Sequence, residues 1–121
     1  ILFLHMAIHE ITIQWQGEDA VVEFEDTLTF GEVENLLGGA VDLSDVTKPK
    51  IDLKYYRMNL LTKVIKKAPF KVGDKVTLEL MDSKIVKKIL DEVLEYHPLA
   101  DYIEDWMETF QSLGKMNEKS S

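Results

Sequence analysis

A chain of 121 residues with 45% hydrophobic and 30% charged side chains has the make-up of one globular domain, large enough to bury roughly two-thirds of its unfolded surface. Lacking cysteine, it has no disulfide staple and no thiolate metal site, so packing alone must hold the core, and an intracellular, cytoplasmic setting is expected. Its formal net charge of -8 opposes sequence-independent nucleic-acid binding, and no apolar run approaches the ~20 residues a membrane-spanning helix needs.

Residues 1–6 are apolar but resemble no secretion signal, and read either as a leader before a start at Met6 or as a strand extension through Leu2 and Leu4. From residue 7 to 15 the side chains alternate, with Ile11, Ile13 and Trp15 opposite Glu10, Thr12 and Gln14. Gln16-Gly17-Glu18-Asp19 supplies a turn, and Val22 and Phe24 resume the alternation, which predicts a β-hairpin. A lone hairpin is barely stable in water, so its apolar face needs helices to cover it.

Thr29 and Glu32 have capping-box spacing, predicting a helix with Phe30, Val33, Leu36 and Leu37 on one side and Gly38-Gly39 at its close. Residues 41–50 read as a connecting loop. Leu53, Tyr56, Leu60, Val64 and Ala68 then recur at helical spacing opposite Lys54, Lys63, Lys66 and Lys67, predicting a helix about 24 Å long that stops at Ala68-Pro69-Phe70. Lysines in the last turn suit the negative end of the helix dipole.

Residues 76–81 fit a short strand or an early helical turn, and a short irregular connection is the preferred reading. Asp82 or Ser83 caps the next predicted helix, where Ile85, Val86, Ile89, Leu90, Val93 and Leu94 form a wide apolar stripe. After His97-Pro98-Leu99, a final helix presents Tyr102, Ile103, Trp106, Met107, Phe110 and Leu113 on one face and opens with Asp101, Glu104 and Asp105. Residues 7–113 form the expected single domain and residues 114–121 a flexible tail. The expected class is α+β, an N-terminal β-hairpin followed by three to four helices packed on one face.

These patterns carry little reaction chemistry. His9-Glu10 lacks the second histidine of a zinc-protease motif and, on a strand, points to opposite faces; His5, His9 and His97 read as surface or packing residues. Glu23 with Glu25, Asp42 with Asp45, and Asp101 with Glu104 or Asp105 read as solvated charge, because acid-base catalysis needs carboxyl groups held at different pKa values in a cleft. Gly38-Gly39 follows a helix, whereas a phosphate-cradling loop leads into one. The chain is therefore expected to be no enzyme and to use no cofactor or metal. Tyr102, Trp106 and Phe110 suit either the core or a partner-binding surface. The basic middle segment and acidic last segment would allow self-association or a mixed-charge protein partner.

The order of these pieces resembles the tail assembly chaperones of long-tailed phages and proviruses. The residues that carry the likeness are the hairpin with Trp15 and Val22, the Leu28-Thr29-Phe30-Gly31-Glu32 helix start and the linker from Asp45 to Pro49. Further along they are the helix before Ala68-Pro69-Phe70 and the one closing in His97-Pro98-Leu99. Family members often have asparagine where His97 stands, and the segment from Asp101 onward has no counterpart in the likeness. The resemblance implies a non-enzymatic protein of the host cytoplasm that keeps the aggregation-prone tape measure protein soluble and helps tail-tube subunits gather around it. It also implies a longer frameshifted product, for which Gly114-Lys115 is the candidate slip site. The competing expectation is a small intracellular protein-binding or structural module acting through its C-terminal aromatic helix.

Overall fold

Alternation in the first thirty residues produces two strands, β1 (Ile8–Trp15) and β2 (Glu18–Glu25), paired antiparallel with Ile11 opposite Val22 and His9 opposite Phe24. The structure is a computed structural model and describes residues 7–42, 44, 47, 48, 50–99, 101, 102, 104 and 108. The two-residue turn places Gln16 at φ 52° and Gly17 at φ 82°, the positive pair whose twist matches that of the flanking strands. Ile11, Ile13, Val22 and Phe24 are buried on the inner face, while Glu10, Thr12 and Gln14 face outward.

The capping box forms as expected. Thr29 Oγ1 accepts from Glu32 N–H at 3.2 Å and Glu32 Oε1 accepts from Thr29 N–H at 3.0 Å, opening α1 (Phe30–Ala40). Gly38-Gly39 does not close this helix: both residues remain helical, and Val41 caps it in an extended conformation. Gly39 instead admits a neighbour, because a Cβ there would overlap the ring of Tyr55 on α2 (Leu53–Val64). Within the loop expected at residues 41–50, β3 (Val41–Asp42) and β4 (Lys50–Ile51) form a two-rung ladder, and Asp52 then caps α2 by accepting from Tyr55 N–H at 2.9 Å.

The long helix ends four residues before the predicted stop. After Val64 the backbone turns extended, and β5 (Ile65–Lys67) pairs antiparallel with β2, with a register shift between Glu23 and Phe24. Lys66 and Lys67, expected in the last helical turn, therefore decorate an edge strand, with Lys66 3.7 Å from Glu25, while Lys63 stays in the last turn of α2. Two features favour the switch: β-branched Ile65 fits a pleat better than a helix, and the open edge of β2 offers hydrogen bonds that a solvated last turn lacks.

The segment expected to be irregular is helical, as α3 (Lys75–Leu80). Asp74 caps it by accepting from Val76 N–H at 3.1 Å, and Leu78 is its one buried residue. Asp82 is the cap chosen for α4 (Ser83–Tyr96), accepting from Lys84 N–H at 2.8 Å. Beyond it, the described residues Leu99, Asp101, Tyr102, Glu104 and Glu108 are helical.

The helices pack on the inner face of the three-stranded sheet, ordered β1-β2-β5. Phe24, Leu36, Tyr56, Leu60, Val64, Ile89 and Val93 belong to one continuous buried cluster. His97 is fully buried with them and closes α4 with its N–H on Val93 O at 3.0 Å. Its Nε2 donates to the Glu25 carbonyl at 2.8 Å, tying the end of α4 to the end of β2. His9 stacks on Tyr96 at 4.0 Å and bonds Asp26 at 3.1 Å, so this pair of histidines pins the same corner of the fold.

Candidate protein-docking groove

α2 turns Tyr56, Leu60 and Val64 towards the sheet, which leaves Met58 and Leu61 on its flank and Lys54 and Arg57 above them. α4 does the same with Ile89 and Val93 inward, Leu90 and Leu94 on the flank, and Lys84 and Lys87 along the outer edge. α3 crosses one end and contributes Leu78 and Glu79. The flanks enclose a groove of about 580 Å³ whose floor is apolar and whose rim carries Lys54, Arg57, Lys84 and Lys87 against Glu79 and Asp91.

The rim charges are unequal in their commitments. Lys54 Nζ lies 2.9 Å from Glu79 Oε1, and this hydrogen bond, reinforced by the carboxylate's charge, holds the Lys54 ammonium above its ordinary pKa. Arg57, Lys84 and Lys87 make no side-chain ion pair or hydrogen bond among the described residues. On an acidic chain they form a local cationic margin beside apolar surface, suited to a helix with an apolar stripe edged by carboxylates. Met58 and Met81 add adaptable side chains that follow irregular partners.

A second recess of about 470 Å³ lies on the other side of α3, with Trp15, Thr77, Leu80 and Ile85 in its wall. Leu80 is 82% exposed and Val76 60% exposed, so this six-residue helix stands between two recesses with Leu78 as its only buried anchor.

The aromatic residues singled out from the sequence fare differently. Tyr102 is half-buried and packs on the core, its hydroxyl 3.5 Å from His97 Nδ1, and burial with the nearby Asp101 charge raises its phenol pKa. Trp106 and Phe110 lie outside the described residues, as do His5, Gly114 and Lys115. Asp42 bonds the backbone of its own turn through Ser44 N–H at 2.9 Å. Among the described residues no three His, Cys, Asp or Glu side chains are grouped to hold a metal ion, and no helix is long and apolar enough to cross a membrane.

Sequence reading missed the groove. Its signal was present in the one-turn spacing of Lys54 with Arg57 and Lys84 with Lys87, each bordering an apolar stripe, but neither pair says alone that the two helices lie side by side. Compared with protein-family models, curated proteins and solved structures, the chain matches none.

Proposed function

We propose that this chain makes and breaks no bonds and works by holding another polypeptide, in the manner of a tail assembly chaperone that keeps the tape measure protein soluble while a phage or provirus tail is built. The observation that carries the reading is the open groove between α2, α3 and α4, with an apolar floor and a cationic rim. Such a surface buries the apolar stripe of an incoming helix while its charges fix orientation and register. The net charge of -8 opposes non-specific clumping of the holder while it exposes that floor. The competing site on the C-terminal aromatic helix is weakened by Tyr102, whose ring is already committed to the core.

The test is co-expression with a tape measure protein, the long coiled-coil-like partner this reading requires. The partner should move from the pellet to the soluble fraction and co-purify. Met58→Glu with Leu94→Glu, two half-buried groove positions, should abolish both effects while the circular dichroism spectrum stays unchanged. An unchanged partner solubility with the native chain refutes the reading.

A further inference from the structure

The cationic rim has an acidic counterpart on the same molecule. Asp101, Glu104 and Glu108 are helical and exposed, and their spacing of three and four residues sets them in one row. None of them makes an ion pair or hydrogen bond among the described residues, and none lines the groove. Arg57, Lys84 and Lys87 are equally without partners on the other side of the match. Lys84 and Lys87 lie about one helical turn apart on α4, and Asp101, Glu104 and Glu108 recur in the sequence at the matching spacing of three and four residues, so the charges can pair one to one. We infer that the acidic row of one copy docks on the cationic rim of the groove of a second copy, joining molecules head to tail.

The charge pattern favours rim against row over contact of either patch with the same patch of another copy. With a net charge of -8, any symmetric contact between acidic surfaces is repulsive, whereas rim against row opposes unlike charges. The groove floor beneath the rim lowers the local dielectric, which strengthens such pairs over those on open surface. A contact between two different patches leaves one rim and one row free at the ends of an open assembly, so growth continues beyond a dimer unless a twofold or higher rotation closes it.

Two charge-reversed full-length chains test this. Lys84→Glu with Lys87→Glu leaves an acidic rim facing acidic rows; Glu104→Lys with Glu108→Lys leaves basic rows facing a basic rim. Each position is exposed, and unchanged circular dichroism spectra establish that the fold is retained. By sedimentation equilibrium at low salt, from about 10 µM to about 1 mM as befits a weak contact, the native chain should rise with concentration above its monomer mass of 13.9 kDa. Each reversed chain alone should stay at that mass, and an equimolar mixture of the two should associate again, since every rim then meets a row of opposite sign. A native chain that remains monomeric throughout, reversed chains that still associate, or a mixture that does not recover overturns the inference. Because the partner protein is absent, these results are independent of the chaperone test above.

Discussion

The hydroxyl of Tyr56 offers the sharpest test of how this core is built. Tyr56 is fully buried, and its oxygen has no hydrogen-bond partner among the described residues. A buried hydroxyl left unpaired costs about 1–3 kcal/mol of desolvation, and Tyr56→Phe removes that cost while keeping the ring in place. The vacated oxygen leaves a void of about 12 Å³, worth roughly 0.3 kcal/mol of lost contacts at the usual cavity coefficient. The expected net effect is a gain of about 1–2 kcal/mol, or a rise in Tm of roughly 4–8 °C for a chain of this size. Burial, assisted by the charge of Tyr102, also holds the phenol pKa well above its ordinary value of 10.0. A raised phenol pKa favours the folded state fully below the unfolded pKa, and the contribution is lost as pH rises from there through the folded pKa. Alkaline unfolding should therefore begin above about pH 10 in the native chain and at higher pH in Tyr56→Phe. Urea and thermal denaturation followed by circular dichroism, at neutral and alkaline pH, measure both effects. A loss of more than about 1 kcal/mol in Tyr56→Phe would mean that the hydroxyl does make a bond in the folded protein, and the reasoning fails.

Other substitutions test separate parts of the fold. Gly39→Ala sets a methyl against the Tyr55 ring and should cost about 1–3 kcal/mol in urea unfolding. Gly38→Ala meets no atom within 4 Å and should stabilise the same helix by about 0.5–1 kcal/mol. His97→Ala strips the Glu25 carbonyl of this donor and opens a cavity where the buried ring stood, so a loss of about 2–4 kcal/mol is expected by the same measurement. The His9 hydrogen bond, followed by that from Thr27, lowers the Asp26 pKa below its ordinary 3.8. Its contribution is complete above that value and is lost as pH falls through the depressed one, so the urea midpoint of Asp26→Asn should fall less between about pH 5 and pH 2 than that of the native chain.

Local rules carried much of the fold. Strand alternation located the hairpin, Thr29 and Glu32 located the start of α1, and Asp82 with the apolar stripe through Leu94 located α4. The failures fall where a distant partner overrides a local preference. Ile65, Lys66 and Lys67 continue a helical pattern perfectly well, and only the edge of β2, some forty residues earlier in the chain, draws them into a strand. Val76 and Thr77 carry strand propensity, yet the Asp74 cap and the Leu78 anchor suffice for six helical residues. Gly38-Gly39 has the composition of a helix end, but the need it meets is room for an aromatic ring from another helix. The groove was hidden for the same reason: each rim lysine looks like ordinary solvated charge until α2 and α4 stand together.

The junction of α2 and β5 has a mechanical implication. No residue separates Val64 from Ile65, so there is no slack between the helix that walls the groove and the strand that completes the sheet. Axial slip or rotation of that wall must be absorbed in the β5 ladder, whose register is already irregular beside Phe24. A polypeptide wedged into the cleft would thus be felt as altered amide exchange at the far border of the sheet, where it touches nothing.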